Sequence, residues 1–200
     1  MTCRLSASLA LAAGLLLASS RVSAQHLALA PESRLWVEGT STVRNWNCKA
    51  PGVTATINAD GERDATKDVL KGEKGIAGVT LIVAVPMMNC NDNDTMNEHM
   101  RKALKASEFQ AITFTLARYE IAKGTVGLQA TLSGTLLLGG VEKPIAFPVD
   151  VTDGGAGKLH VTGSALVKMR DFDLKPPTLM LGTMRVGNDI TVKFDLFVNP

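Results

Sequence analysis

"VGLQATLSGTLLLGG", residues 126–140, puts apolar or small residues at every even position and mostly polar or small ones between them: Val126, Leu128, Ala130, Leu132, Leu136 and Leu138 against Gln129, Thr131, Ser133 and Thr135. Successive side chains of a strand point to opposite faces of a sheet, so this period of two specifies a strand with one buried face. Gly139-Gly140 then supplies a turn, and Ile145, Phe147, Val149 and Val151 follow the same rule. Further on, Leu159, Val161, Ala165 and Val167 alternate after "DGGAG" (153–157), and Ile190, Val192, Phe194, Leu196 and Val198 close the chain. Upstream, Ile112, Phe114 and Leu116 alternate with threonines, and "GVTLIVAVP" (78–86) is apolar on both faces and stops at a proline. Leu35 with Val37, and more weakly Val53, Ala55 and Ile57, add two segments. The segments are short and punctuated by Gly, Pro and Asp, as an all-β chain requires.

About eight antiparallel strands, each with one apolar face, must bury that face against a second sheet or by closing on themselves. A closed barrel of that size has an interior just wide enough for side chains or for one small ligand. The chain has only 6 Phe, 2 Trp and 1 Tyr, which favours a cavity over a filling of bulky rings. One segment reads as a helix, "DTMNEHMRKALKASE" (94–108). Thr95 and Glu98 form a capping-box pattern, and Met96, Met100, Ala103 and Leu104 share a face. It is expected across a barrel end or sheet edge. No repeat period is present.

The N-terminus carries Arg4, an apolar run over about residues 9–18, and Val22-Ser23-Ala24, the pattern of a secretory signal peptide with cleavage after Ala24. Residues 1–24 are therefore read as signal, 25–33 as a flexible leader ending near Pro31, and 34–200 as one barrel domain. The apolar run is too short and too interrupted by serine to span a bilayer, which needs roughly 20 residues. Cys3 precedes the run and is not placed to be a lipoprotein cysteine. A periplasmic or secreted location follows. Loss of Arg4 and Arg21 brings the 21 basic residues level with the 19 acidic ones, and no basic stripe with interleaved aromatics suggests nucleic acid.

Cleavage also removes Cys3 and leaves Cys48 and Cys90, an even pair in an oxidising compartment. A disulfide between them would close a loop of roughly 40 residues and stabilise the fold by about 4 kcal/mol. A thiolate metal site would want more ligands nearby. "NCNDNDTMNEHM" (89–100) gathers Cys, Asp, His and Met, but Asp92, Asn93 and Asp94 are ordinary helix-start residues and the calcium-loop spacing is absent. No metal is expected. Nothing resembles a nucleophile elbow or an H-E-x-x-H helix, and His26, His99 and His160 are scattered, His160 on the polar phase of its strand. No catalytic residue is assigned. "DFDLKPPTLMLGTMRVGND" (171–189) holds an apolar stretch flanked by Pro and Gly, so Leu179, Met180 and Leu181 could fold over a barrel mouth and touch an apolar guest, or pack as a strand entry.

Four stretches, "WVEGTSTVRNWNC" (36–48), "MRKALKASEFQAITF" (100–114), "LSGTLLLGGVEKPIAFPV" (132–149) and "MRDFDLKPPTLMLGTMRVGNDITVKFDL" (169–196), resemble in order the YceI-like family of bacterial secreted proteins. The resemblance covers nearly the whole chain after the signal. It implies a lipocalin-like antiparallel barrel with a long apolar tunnel for a polyisoprenoid chain, such as a quinone tail, in a periplasmic protein without established catalysis. It also implies a helix beside the barrel and a hairpin bend at Lys143-Pro144. Arg44 stands where many members carry histidine, and Gln110 where they carry proline.

The reading is thus a periplasmic binding or carrier protein for a polyisoprenoid or other long lipid, monomeric or homodimeric, with no cofactor beyond such a ligand. The expected wall is Leu128, Leu132, Leu136, Phe147, Val149, Val161, Val167, Phe194 and Leu196, with Leu179, Met180 and Leu181 at the mouth. The alternative is a non-catalytic stress-response or interaction module whose barrel is filled.

Overall fold

The computed structural model describes residues 26–61, 63–125 and 127–200, with only the backbone of His26 and Met180. The signal segment and its cleavage point lie outside them. Eleven strands follow in order: β1 His26–Leu29, β2 Arg34–Ser41, β3 Asn45–Lys49, β4 Val53–Ala59, β5 Ile76–Ala84, β6 Ala111–Lys123, β7 Leu128–Leu138, β8 Val141–Asp153, β9 Leu159–Lys168, β10 Thr178–Leu179 and β11 Met184–Asn199. Two helices, α1 Ala65–Leu70 and α2 Asp94–Ala103, interrupt them.

Eight strands close into an antiparallel barrel, in the order β1-β4-β5-β6-β7-β8-β9-β11, with β11 returning to β1. The opening stretch supplies β7, whose partners run from Leu128↔Val151 to Leu138↔Val141 on one side and from Thr113↔Leu137 to Lys123↔Leu128 on the other. The long β11 lies against β9 along its length, and on its other edge takes β2 first and then β1. The hairpin β2–β3 therefore extends the wall beyond the ring at one end. β10 forms a small hairpin with the start of β11.

Within the stretch 25–33, expected to be a flexible leader, residues 26–29 form a strand. Ala28 and Leu29 pair with Asn199 and Val198, and His26 and Leu27 with Asn58 and Ile57, so β1 closes the ring. Leu27 is 3% exposed because its side chain completes the core between the first and last strands. The bend expected at Lys143-Pro144 is also absent. Gly139 and Gly140 reverse the chain with φ of 56° and 82°, as a type I′ turn needs. Lys143 and Pro144 are already paired with Leu136 and Thr135.

Helix α2 ends at Ala103 rather than 108, and Lys105 lies just beyond with φ of 54°. Its cap is Asn93, whose side-chain oxygen accepts from the Met96 amide at 2.9 Å, so Thr95 does not serve. A second helix, α1, was not legible in the sequence pattern. Asp64 caps it through the Lys67 amide, and Ala65, Thr66 and Val69 are buried. The Cys48–Cys90 disulfide joins β3 to the segment leading into α2.

Candidate functional site

The inward faces of the ring strands enclose a cavity of about 810 Å³. That lies towards the upper end of the roughly 300–1,000 Å³ usual for small-molecule sites. Its two ends are built differently. The end opposite the β7–β8 turn is shut by β1 and α1, where Leu29, Val69, Ile76, Ile121, Leu128 and Val198 line the cavity. Tyr119 fixes this end, its hydroxyl oxygen accepting from the Gly75 and Ile76 amides at 3.1 Å each.

The middle of the wall carries a row of three rings. Phe114 and Phe147 have centroids 5.3 Å apart, and Phe147 and Phe194 meet edge-on at 5.8 Å. Phe194 lies over Gly163, where a Cβ would come within 2.7 Å of the ring and 2.9 Å of the Pro148 carbonyl oxygen. The missing side chain lets the ring lie flat against the wall and leaves the centre of the barrel open.

The other end reaches the surface. It is lined by the β2–β3 turn with Ser41 and Arg44, by Trp46, by Pro177, Leu179, Met184 and Val186, and by Met96, His99, Met100, Ala103 and Leu104 of α2 and the residue after it. Trp46 lies across Gly39 and donates from its indole nitrogen to the Thr40 carbonyl at 3.2 Å. The turn is tied to the later segment, since the Thr42 amide donates to the Arg185 carbonyl at 3.0 Å and its hydroxyl to that of Thr183 at 3.1 Å. The disulfide sulfurs' residues, Cys48 and Cys90, both line the cavity beneath α2 and are buried.

Of the wall residues picked from the pattern, Leu128, Leu132, Leu136, Phe147, Val149, Val161, Val167, Phe194 and Leu196 all face the cavity, as does Leu179. Leu181 does not: it stands free in solvent at 108% relative exposure, with φ of 52°, so it is no part of the mouth. The Met180 side chain lies outside the described residues. The pattern missed Tyr119 and Ile121. A bulge in β6 between Leu116 and Arg118 shifts the inward phase from even to odd positions, which the change from Ile112-Phe114-Leu116 to Tyr119-Ile121 could have signalled. His99 lines the cavity, whereas His160 lies outside the barrel, 2.6 Å from Asp195 and stacked on Phe197.

Among the described residues no group of three or more His, Cys, Asp or Glu side chains is arranged to hold a metal ion. No helix among them is long and apolar enough to cross a membrane.

A closed eight-stranded antiparallel ring around one deep apolar cavity defines the class: a calyx barrel. The chain belongs to the YceI-like domain family, whose model matches residues 21–198. Its fold is similar to that of BcnA from Burkholderia cenocepacia, at 16% identity and a TM-score of 0.67 over 84% of this chain and 97% of that one. It is similar also to a polyisoprenoid binding domain from Saccharophagus degradans, at 18% identity and a TM-score of 0.59 over 86% and 97%. The YceI protein of Campylobacter jejuni matches at 20% identity and 0.56 over 75% and 82%. No curated protein matches.

Proposed function

We propose that the chain is an extracytoplasmic binding or carrier protein for one long apolar lipid of the polyisoprenoid class, including a quinone tail, held without catalysis. The observation that carries this reading is the cavity of about 810 Å³ with apolar walls running from Leu128 and Ile121 at the shut end to Leu179 at the open one. Binding rests on removal of apolar surface from water, worth roughly 25 cal/mol per Å². A polyisoprenoid suits a deep narrow calyx because its chain is flexible and carries no polar group along its length. The Saccharophagus degradans neighbour is described as a polyisoprenoid binding domain, which supports the same ligand class. The disulfide suits an oxidising compartment. The volume left beside the three phenylalanine rings speaks against a filled barrel that serves only as an interaction module.

The test is native mass spectrometry of protein secreted to a periplasm and never denatured, which also reads its oligomeric state. An added mass that fragments as an isoprenoid is expected. A bare mass, together with no saturable uptake of the neutral probe N-phenyl-1-naphthylamine, would sink the assignment. Ala130→Trp sharpens the test. Ala130 lines the cavity between Ile121 and Val149, so the indole should fill the space, and uptake should fall at least about tenfold in a protein that still folds.

A further inference from the structure

The cavity lining holds one formally charged side chain, Arg44, among some fifty residues that are nearly all apolar. Its position is set by the backbone. The Ser41 amide and hydroxyl donate to the Arg44 carbonyl at 2.9 and 2.8 Å, and the Arg44 amide donates to the Ser41 hydroxyl oxygen at 3.1 Å. The turn is therefore locked, while the guanidinium itself has no hydrogen bond or ion pair to any described residue. No Asp or Glu lines the cavity to neutralise it. The acidic residues of the α2 segment, Asp92, Asp94 and Glu98, are exposed and outside the lining, and Asp92 accepts from the Asn89 side chain at 2.6 Å. His99, half-buried on α2, and the exposed Asn93 and Thr95 side chains are the other polar groups of this open end with a donor to offer, since the Ser41 hydroxyl already donates to the Arg44 carbonyl.

A cation at the entrance of an apolar calyx does nothing for burial of a hydrocarbon tail. It discriminates between head groups. A guanidinium matches the two oxygens of a carboxylate or phosphate with a pair of parallel hydrogen bonds, and such charge-assisted bonds are roughly twice as strong as neutral ones. We propose that the preferred ligand is an acidic amphiphile, its carboxylate or phosphate held at Arg44 beside His99 while its chain fills the barrel. This rests on the lipid reading above and narrows it: a neutral quinone or alcohol head can accept a hydrogen bond from Arg44 but forms no ion pair with it, and so gains less.

The experiment is displacement of N-phenyl-1-naphthylamine from the mature protein by farnesol, farnesoic acid and farnesyl phosphate, with inorganic phosphate as a headgroup-only arm. Either acid should bind at least about fivefold more tightly than farnesol, a modest margin suited to a guanidinium on an exposed residue at the rim. Arg44→Gln should bring acids and alcohol level while leaving farnesol within about twofold, and Arg44→Lys should keep part of the preference. The margin should shrink with added salt. Inorganic phosphate should compete with farnesyl phosphate only weakly, because it lacks the chain. Equal affinity for farnesol and the acids, or a preference that survives Arg44→Gln, overturns the head-group inference and leaves the lipid reading intact. Failure of all three chains to displace the probe overturns the lipid reading itself. Phosphate competing as well as farnesyl phosphate would mark an anion site without a lipid, and overturn both.

Discussion

The two ends of the barrel are made from the same kind of strand and carry different duties. At the shut end the polar groups face one another: Tyr119 holds two amides, and the Asp64 carboxylate accepts from the Thr66 hydroxyl, the Lys67 amide and the Lys67 ammonium. At the open end the Arg44 guanidinium is left without a partner among the described residues, and Val43 and Leu181 project into water at 64% and 108% exposure. The shut end spends its chemistry on holding shape. The open end keeps some unspent for a ligand.

The largest expected effect tests whether the open end is held as firmly as it looks. Cys48 and Cys90 are 42 positions apart in sequence, and their disulfide ties the segment leading into α2 to β3. Cys48→Ser with Cys90→Ser should cost about 4 kcal/mol in a urea titration, as loop entropy predicts. Amide exchange should rise first in 90–104 rather than in β6 to β8; uniform loosening would mean that the bond supports the whole ring instead.

Next in size is the shut end. Tyr119→Phe removes the shared acceptor of the Gly75 and Ile76 amides, leaving buried donors unsatisfied at a cost of about 2 kcal/mol. Probe affinity should stay within about twofold, because the ring remains in the wall. A loss of binding as large as the loss of stability would erase the division between the two ends.

A smaller effect is expected at Leu181, an exposed residue in the left-handed region at φ of 52°. Leu181→Gly should relieve that backbone and stabilise by about 1 kcal/mol, without change in lipid uptake. Weaker uptake would return Leu181 to the mouth.

The smallest effect is acid titration of the α1 cap. The Lys67 ammonium, the Thr66 hydroxyl and the Lys67 amide, in that order, hold the Asp64 carboxyl down from 3.8 to about 2. A lowered folded value means that the carboxylate's contribution is complete above about pH 4 and is lost as the pH falls through about 2. The Lys67 amide resonance should move with that midpoint; a midpoint near 3.8 would show the cap to be open.

The barrel wall was legible because its signal is periodic and local. Five even-numbered positions of β7, and the alternations of β8, β9 and β11, mapped onto the interior directly. What escaped did so for physical reasons. "HLAL" is too short to show a period, and its order comes from pairing with β4, some 30 residues on, and with β11, more than 160 residues away. "ATKDVL" is under two helical turns, too little for an apolar stripe, and its order comes from a cap and from packing on the shut end. Tyr119 and Ile121 changed phase at a bulge, which sequence shows only as a break. Leu181 is apolar by composition but faces outward because of its backbone angle, and no hydropathy pattern encodes that. Arg44 could be seen as a departure from the family, whereas its isolation in an apolar lining needed the fold.

The pairing of Ala28 and Leu29 with Asn199 and Val198 sets an order of events for the nascent chain. The first strand emerges early and has only β4 to hold until the last residues arrive. The seam is thus the final contact to form and the one of longest sequence separation, a topology that slows folding. Until then the inner wall is an open apolar sheet, a surface on which a chaperone or a lipid could act before the vessel shuts. The same adjacency means that a short linker could join the end of β11 to the start of β1, with new termini opened at the Gly155–Gly157 loop; such a permutant would have its seam zipped from the start and should close without the wait.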